Sequence, residues 1–111
     1  MPSKILGQQR PPTLNTFVDI YTVPADTEVT GMVMTIANVS GVDSTFQITQ
    51  DDAGTGDAAQ FALAWDVAIA ADGVVKLNIG PMNVASGTIA VSSDLGNANV
   101  FTLHGTERLI A

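Results

Sequence analysis

Cysteine is missing from the chain altogether, so neither a disulfide framework nor a thiolate metal site can be built. Histidine and tyrosine occur once each, which leaves few groups for general acid–base or nucleophilic work. Positive charge is scarce as well: four Lys and Arg stand against eleven Asp and Glu, a formal net charge of −7. Such a chain repels phosphate backbones and has no basic stripe, which argues against direct nucleic-acid binding. No window approaches the roughly 18 apolar residues of a membrane span. Met1 to Gly7 carries one cation but lacks the apolar run of a secretory signal. The expectation is a protein made as a soluble chain, with no membrane partner and no cofactor.

What is present is enough for a core. With 46% hydrophobic and 14% charged residues in a length of 111, the chain is too apolar to stay disordered and is sized for one domain.

Residues 1–15 hold three of the five prolines, Pro2, Pro11 and Pro12. Proline cannot join a regular ladder, so this stretch reads as an extended N-terminal arm outside the core, and residues 16–111 as the domain proper. Half of the cations, Lys4 and Arg10, sit in the arm. An apolar and basic arm on an acidic body suits contact with a neighbouring copy, and Lys4, Ile5, Leu6, Gln8, Arg10, Pro11, Pro12 and Leu14 are the residues expected to make it.

From Thr16 onward the hydrophobic period is two. Val18 and Ile20 are expected on one face of the first strand, with Phe17, Asp19 and Tyr21 on the other. Val23-Pro24-Ala25-Asp26-Thr27 turns a corner. Val29 to Val39 is apolar on both faces, as for a central strand covered on two sides. Ser40 to Asp43 is a hairpin loop, followed by a strand with Phe46 and Ile48 on one face and Thr45, Gln47 and Thr49 on a wet one. Phe61, Leu63, Trp65, Val67 and Ile69 fall at every second position, which predicts a strand with all five on its core face. Residues 57–61 leave room for a short helical turn. Further strands are expected around Val75–Ile79, Thr88–Ser92 and Asn99–Thr106. About seven strands with turn residues every 8–12 positions predict an all-β fold, a single antiparallel β-sandwich of jelly-roll or immunoglobulin-like topology.

Candidate chemistry is thin. His104 lies beside Thr102 and Thr106 with no nucleophile-elbow motif, and reads as a packing or interface histidine. Asp51, Asp52 and Asp57, in a glycine-containing loop, are the candidates for a Ca²⁺ site. Their order does not follow the EF-hand and lacks its closing Glu, so a solvated acidic loop is the plainer reading. Gly54-x-Gly56-x-x-Ala59 has no βαβ context and is not a dinucleotide fingerprint. Asn38-Val39-Ser40 has the form of a glycosylation sequon but reads as a turn. Trp65 could stack a sugar, though its place in the alternation assigns it to the core.

Lys4-Ile5-Leu6-Gly7-Gln8 with Pro11, then Asp19-Ile20-Tyr21-Thr22-Val23-Pro24-Ala25, Ile36-Ala37-Asn38, Gly80-Pro81-Met82 and Gly105-Thr106-Glu107 resemble the small β-sandwich structural proteins of tailed bacteriophages. The resemblance implies a virion component, assembled in the host bacterial cytoplasm, without an active site. Its expected partners are itself, as a trimer or ring, and other virion proteins such as the major capsid protein or a neck or tail protein. The expected role is a non-enzymatic brick that decorates or cements the capsid, or forms part of the neck or tail. The alternative is a host-surface or polysaccharide-binding module on the virion exterior.

Overall fold

A computed structural model describes residues 4–51, 62–80, 82 and 87–109, with only the backbone of Asp51. Among the described residues there are eight strands: β1 (Lys4–Gln9), β2 (Val18–Thr22), β3 (Thr27–Asn38), β4 (Ser44–Asp51), β5 (Ala62–Ile69), β6 (Val74–Ile79), β7 (Thr88–Ser93) and β8 (Asn99–Leu109). They form two four-stranded sheets, which we call A (β1-β8-β3-β6) and B (β2-β7-β4-β5). Every pairing is antiparallel. This interleaved strand order is that of a jelly roll, so the immunoglobulin-like alternative falls away.

The core lies between the sheets. Sheet A contributes Val29, Met32, Met34, Ile36, Phe101 and Leu103, and sheet B contributes Phe46, Ile48, Ile89 and Val91, all essentially inaccessible. Phe46 and Phe101 meet edge to face across the gap, with ring centroids 6.1 Å apart. Such a pair adds roughly 0.5–1.5 kcal/mol beyond its burial. Near the start of β8 the core becomes polar: Asn99 donates to Ser44 Oγ (2.9 Å) and Ser93 Oγ (3.0 Å), joining both sheets. Asn38 caps the adjoining loop, donating to Val42 O and accepting from the Ser40 amide, so the sequon is indeed a turn.

The expected arm is the largest correction. Lys4–Gln9 forms β1, antiparallel to β8, and belongs to the sandwich. Leu6 packs against the core, Pro11 is buried, and a Cβ on Gly7 would collide with the carbonyl oxygen of Ile20. Pro11 and Pro12 follow the strand instead of interrupting it. They line a connector pinned to the β7–β8 turn: the Asn97 amide donates to Pro11 O (2.8 Å), the Asn15 amide to Ser93 O (2.7 Å), and Arg10 Nε to Asn97 O (2.9 Å). Gly96 permits this approach, since a Cβ there would lie 2.6 Å from Pro12 O.

Bulges account for the other differences. In β2 the pairing with β7 slips between Asp19 and Tyr21, so Tyr21 joins Ile20 in the core instead of facing away with Asp19. In β3 it slips between Thr30 and Val33, where Gly31 takes φ +63°, and Val29 and Met32 both point inward. The second face of β3 is half-buried, and among the described residues no further strand layer covers it. In β5, Phe46 faces Val67 while Ile48 faces Ala64, so Trp65 and Asp66 together oppose Gln47. Asp66 adopts φ +52°, and the extra residue reverses the inward and outward alternation. Ala64 therefore enters the core, while Leu63 (46% exposed) and Trp65 (40%) leave it. Phe61 lies outside the described residues, as does the expected turn at 57–61.

Edge strands β1, β2 and β5 thus each carry a bulge, and β6 carries Lys76 at its middle. Both devices discourage unplanned strand-to-strand pairing between molecules.

Candidate functional site

Two surfaces combine unusual residues with defined geometry. The first is the start of β1. Lys4 Nζ lies 2.7 Å from Glu107 Oε1, and the Tyr21 hydroxyl donates to Glu107 Oε2 at 2.5 Å. Lys4 comes from β1, Glu107 from β8 and Tyr21 from β2, so one carboxylate ties the first strand to both sheets. The Lys4 bond, then the Tyr21 bond, hold the Glu107 pKa below its ordinary 4.5. Burial, then the Glu107 bond and charge, push the Tyr21 phenol above its ordinary 10.0.

Of the expected contact residues, Gln8 donates to Thr102 Oγ1 (2.9 Å) on the chain's own β8. Lys4, Leu6, Arg10 and Pro11 are likewise engaged within the chain. Ile5 (57% exposed) and Leu14 (55%) stand free of the core, and Pro12 is exposed. The geometry therefore separates a docked set from an outward set, which composition alone did not.

The second surface is the outer face of sheet B, and the sequence reading missed it. Val18, Val91, Ile48 and Phe46 point inward, so the register places Phe17, Ser92, Gln47 and the Trp65–Asp66 bulge in one row on the opposite face. Phe17 reaches in from the β2 edge and Trp65 from the β5 edge, and they stack over the middle strands with centroids 6.0 Å apart and planes at 29°. Gln47 Nε2 donates to Asp66 Oδ1 beside them (2.9 Å). On the same outer side, Ser92 (1% exposed) and Thr49 (0%) are buried although they lie outside the core. Their hydroxyls, Ser92 Oγ and Thr49 Oγ1, have no hydrogen-bond partner among the described residues. Leaving a buried hydroxyl unsatisfied costs about 1–3 kcal/mol. The only advance signal was the small polar character of Ser92 and of Thr49, the latter expected on a wet face.

His104 is half-buried on the outer face of sheet A, opposite Ile5 and Val33. Among the described residues no group of three His, Cys, Asp or Glu side chains could hold a metal ion. The side chains of Asp51, Asp52 and Asp57 lie outside the described residues.

No family model and no curated protein matches the sequence. Several solved structures are similar to the chain. A protein of the disulfide-linked pili that form Bacillus endospore appendages is similar over 99% of this chain and 87% of its own, with a TM-score of 0.59 and 9% identity. Two family 22 carbohydrate-binding modules are more distant. The xylan-binding CBM22-1 domain of Paenibacillus barcinonensis Xyn10C has a TM-score of 0.44 at 14% identity, covering 93% of this chain and 70% of that one. The C-terminal module of Clostridium thermocellum Xyn10B has 0.46 at 14%, covering 100% and 83%. At 9% identity the likeness to the appendage protein is one of fold.

Proposed function

We propose that this chain is a non-enzymatic virion structural protein of a tailed bacteriophage, a homo-oligomeric brick of the capsid surface or of the neck or tail. The virion assignment rests on the sequence resemblance that begins at Lys4-Ile5-Leu6-Gly7-Gln8. The observation that carries the brick reading is the placement of β1. The chain's first strand is an edge strand, held by main-chain pairing and one carboxylate latch, and followed by a connector anchored to the body. An edge element of this kind can be donated to the equivalent groove of an identical neighbour with every contact preserved, which is strand exchange between symmetry-related copies. The pinned residues 11–15 fix where the exchanged strand departs. A jelly roll found in an appendage pilus protein supports the idea that this architecture suits repetitive assembly. That pilus is disulfide-linked, whereas a chain without cysteine must join its copies non-covalently.

The lack of native cysteine gives a clean test. Gln8→Cys with Thr102→Cys places two thiols at paired positions of β1 and β8. In the assembled protein, oxidation should yield a ladder of covalent multimers on a non-reducing gel, and sedimentation should give a trimer or ring. A monomer at all concentrations, crosslinked only within itself, would sink the proposal.

A further inference from the structure

We propose that the outer face of sheet B is a binding site for a pyranose ring, seated between Phe17 and Trp65 and hydrogen-bonded from below by Ser92 and Thr49. Three independent features meet there. The first is the ring pair. Aromatic faces carry negative potential and attract the polarised C–H groups on the apolar face of a sugar. Phe17 and Trp65 are anchored on opposite edges of the sheet, so parting them opens a slot without moving the core.

The second feature is the floor. Ser92 Oγ and Thr49 Oγ1 sit on adjacent strands β7 and β4, on the side facing away from the core, and both lack partners. A structure that needed only a small outer core would place Ala and Val at these positions and avoid the penalty of unpaired hydroxyls. Hydroxyl groups that both donate and accept are suited to a polyol, which does the same.

The third is the rim. Asp66 and Gln47 present a carboxylate and an amide side by side, held in place by their mutual hydrogen bond and by the bulge that turns Trp65 outward. Planar acceptors beside an aromatic surface fix the orientation of a ligand whose hydroxyls lie around the edge of an apolar ring. The row carries no Lys or Arg, so a phosphate or sulfate ester is disfavoured and a neutral sugar fits.

Trp65 is the chain's single tryptophan, so its fluorescence reports on this site alone. The full chain should be titrated with xylohexaose, maltohexaose, an N-acetylglucosamine hexamer and free glucose. We expect a saturable change in Trp65 emission with at least one oligosaccharide below about 10 mM. A preference of roughly tenfold for the oligosaccharide over glucose assigns a polymer ligand, and equal affinity assigns a single sugar. Ser92→Ala and Thr49→Val should each weaken binding about 3–10-fold, while the thermal midpoint of the unliganded protein stays level or rises. No saturable change with any of the four sugars would overturn the proposal, as would unaltered binding in the double variant. Neither result bears on strand exchange, which is read from crosslinks.

Discussion

The outer faces of the two sheets differ more than their strand counts suggest. On sheet A, Thr35, Thr102 and Gln8 lie in one cross-strand row, half-buried or exposed, with ordinary side-chain partners such as the Gln8–Thr102 bond. On sheet B, the matching central positions Thr49, Ala90 and Ser92 are sealed, and two of them hold unpaired hydroxyls. Both faces are built from small and polar residues. Sheet B also carries a pair of rings brought in from its edges, Phe17 and Trp65, for which sheet A has no counterpart among the described residues. A polar outer face therefore need not be a wet one, and burial outside the core marks where a surface has been prepared for something other than water.

The contrast can be broken or sharpened experimentally. The largest effect should come from the interior that both sheets share: Phe101→Ala, which removes the edge-to-face contact with Phe46, should cost about 3–5 kcal/mol in urea denaturation. A smaller loss would mean that the sheets do not depend on one interior. Next comes Trp65→Ala, with about 1–2 kcal/mol expected for a ring that is partly exposed yet stacked. A cost equal to that of Phe101→Ala would make the ring pair a second core. Third is the latch. Glu107 has a lowered pKa, so its contribution is present above pH 4.5 and is lost as the pH falls through the depressed value in the folded protein. Tyr21 has a raised pKa, so its contribution is present below pH 10.0 and is lost as the pH climbs beyond that. Glu107→Gln should cost under about 1 kcal/mol at neutral pH, because Lys4 is largely exposed, and should flatten the acid limb of a stability profile. The smallest effect is expected on sheet A, where Thr102→Val should stay within about 0.5 kcal/mol.

Much of this architecture could be read from the chain in advance. Turn residues every 8–12 positions, and the alternation of Phe46 and Ile48 with Thr45, Gln47 and Thr49, point to a β-sandwich. Two kinds of feature escaped. One is long-range pairing: Lys4–Gln9 looks like an arm until β8, about a hundred residues later, supplies its partner strand. The other is phase. Period-two reading assumes an unbroken ladder, and the bulges in β2, β3 and β5 each reverse the alternation. That is why Trp65 was assigned to the core and the ring pair went unseen. The residue types at the candidate site were visible throughout. Their convergence on one row depended on pairings that link positions 17, 92, 47 and 65, which no local window contains.

The left-handed residue at Asp66 has a consequence for how the chain tolerates change in length. Deleting that single position would leave Trp65 alone opposite Gln47, still outward, between Val67 opposite Phe46 and Ala64 opposite Ile48, so the ladder would close across the gap. Loss of this one residue would cost the Gln47–Asp66 bond and keep both faces, whereas loss of a residue between Val67 and Ile69 would turn one part of the strand over. Lineages of this protein should accordingly tolerate a shortening of β5 at the bulge better than one between Val67 and Ile69.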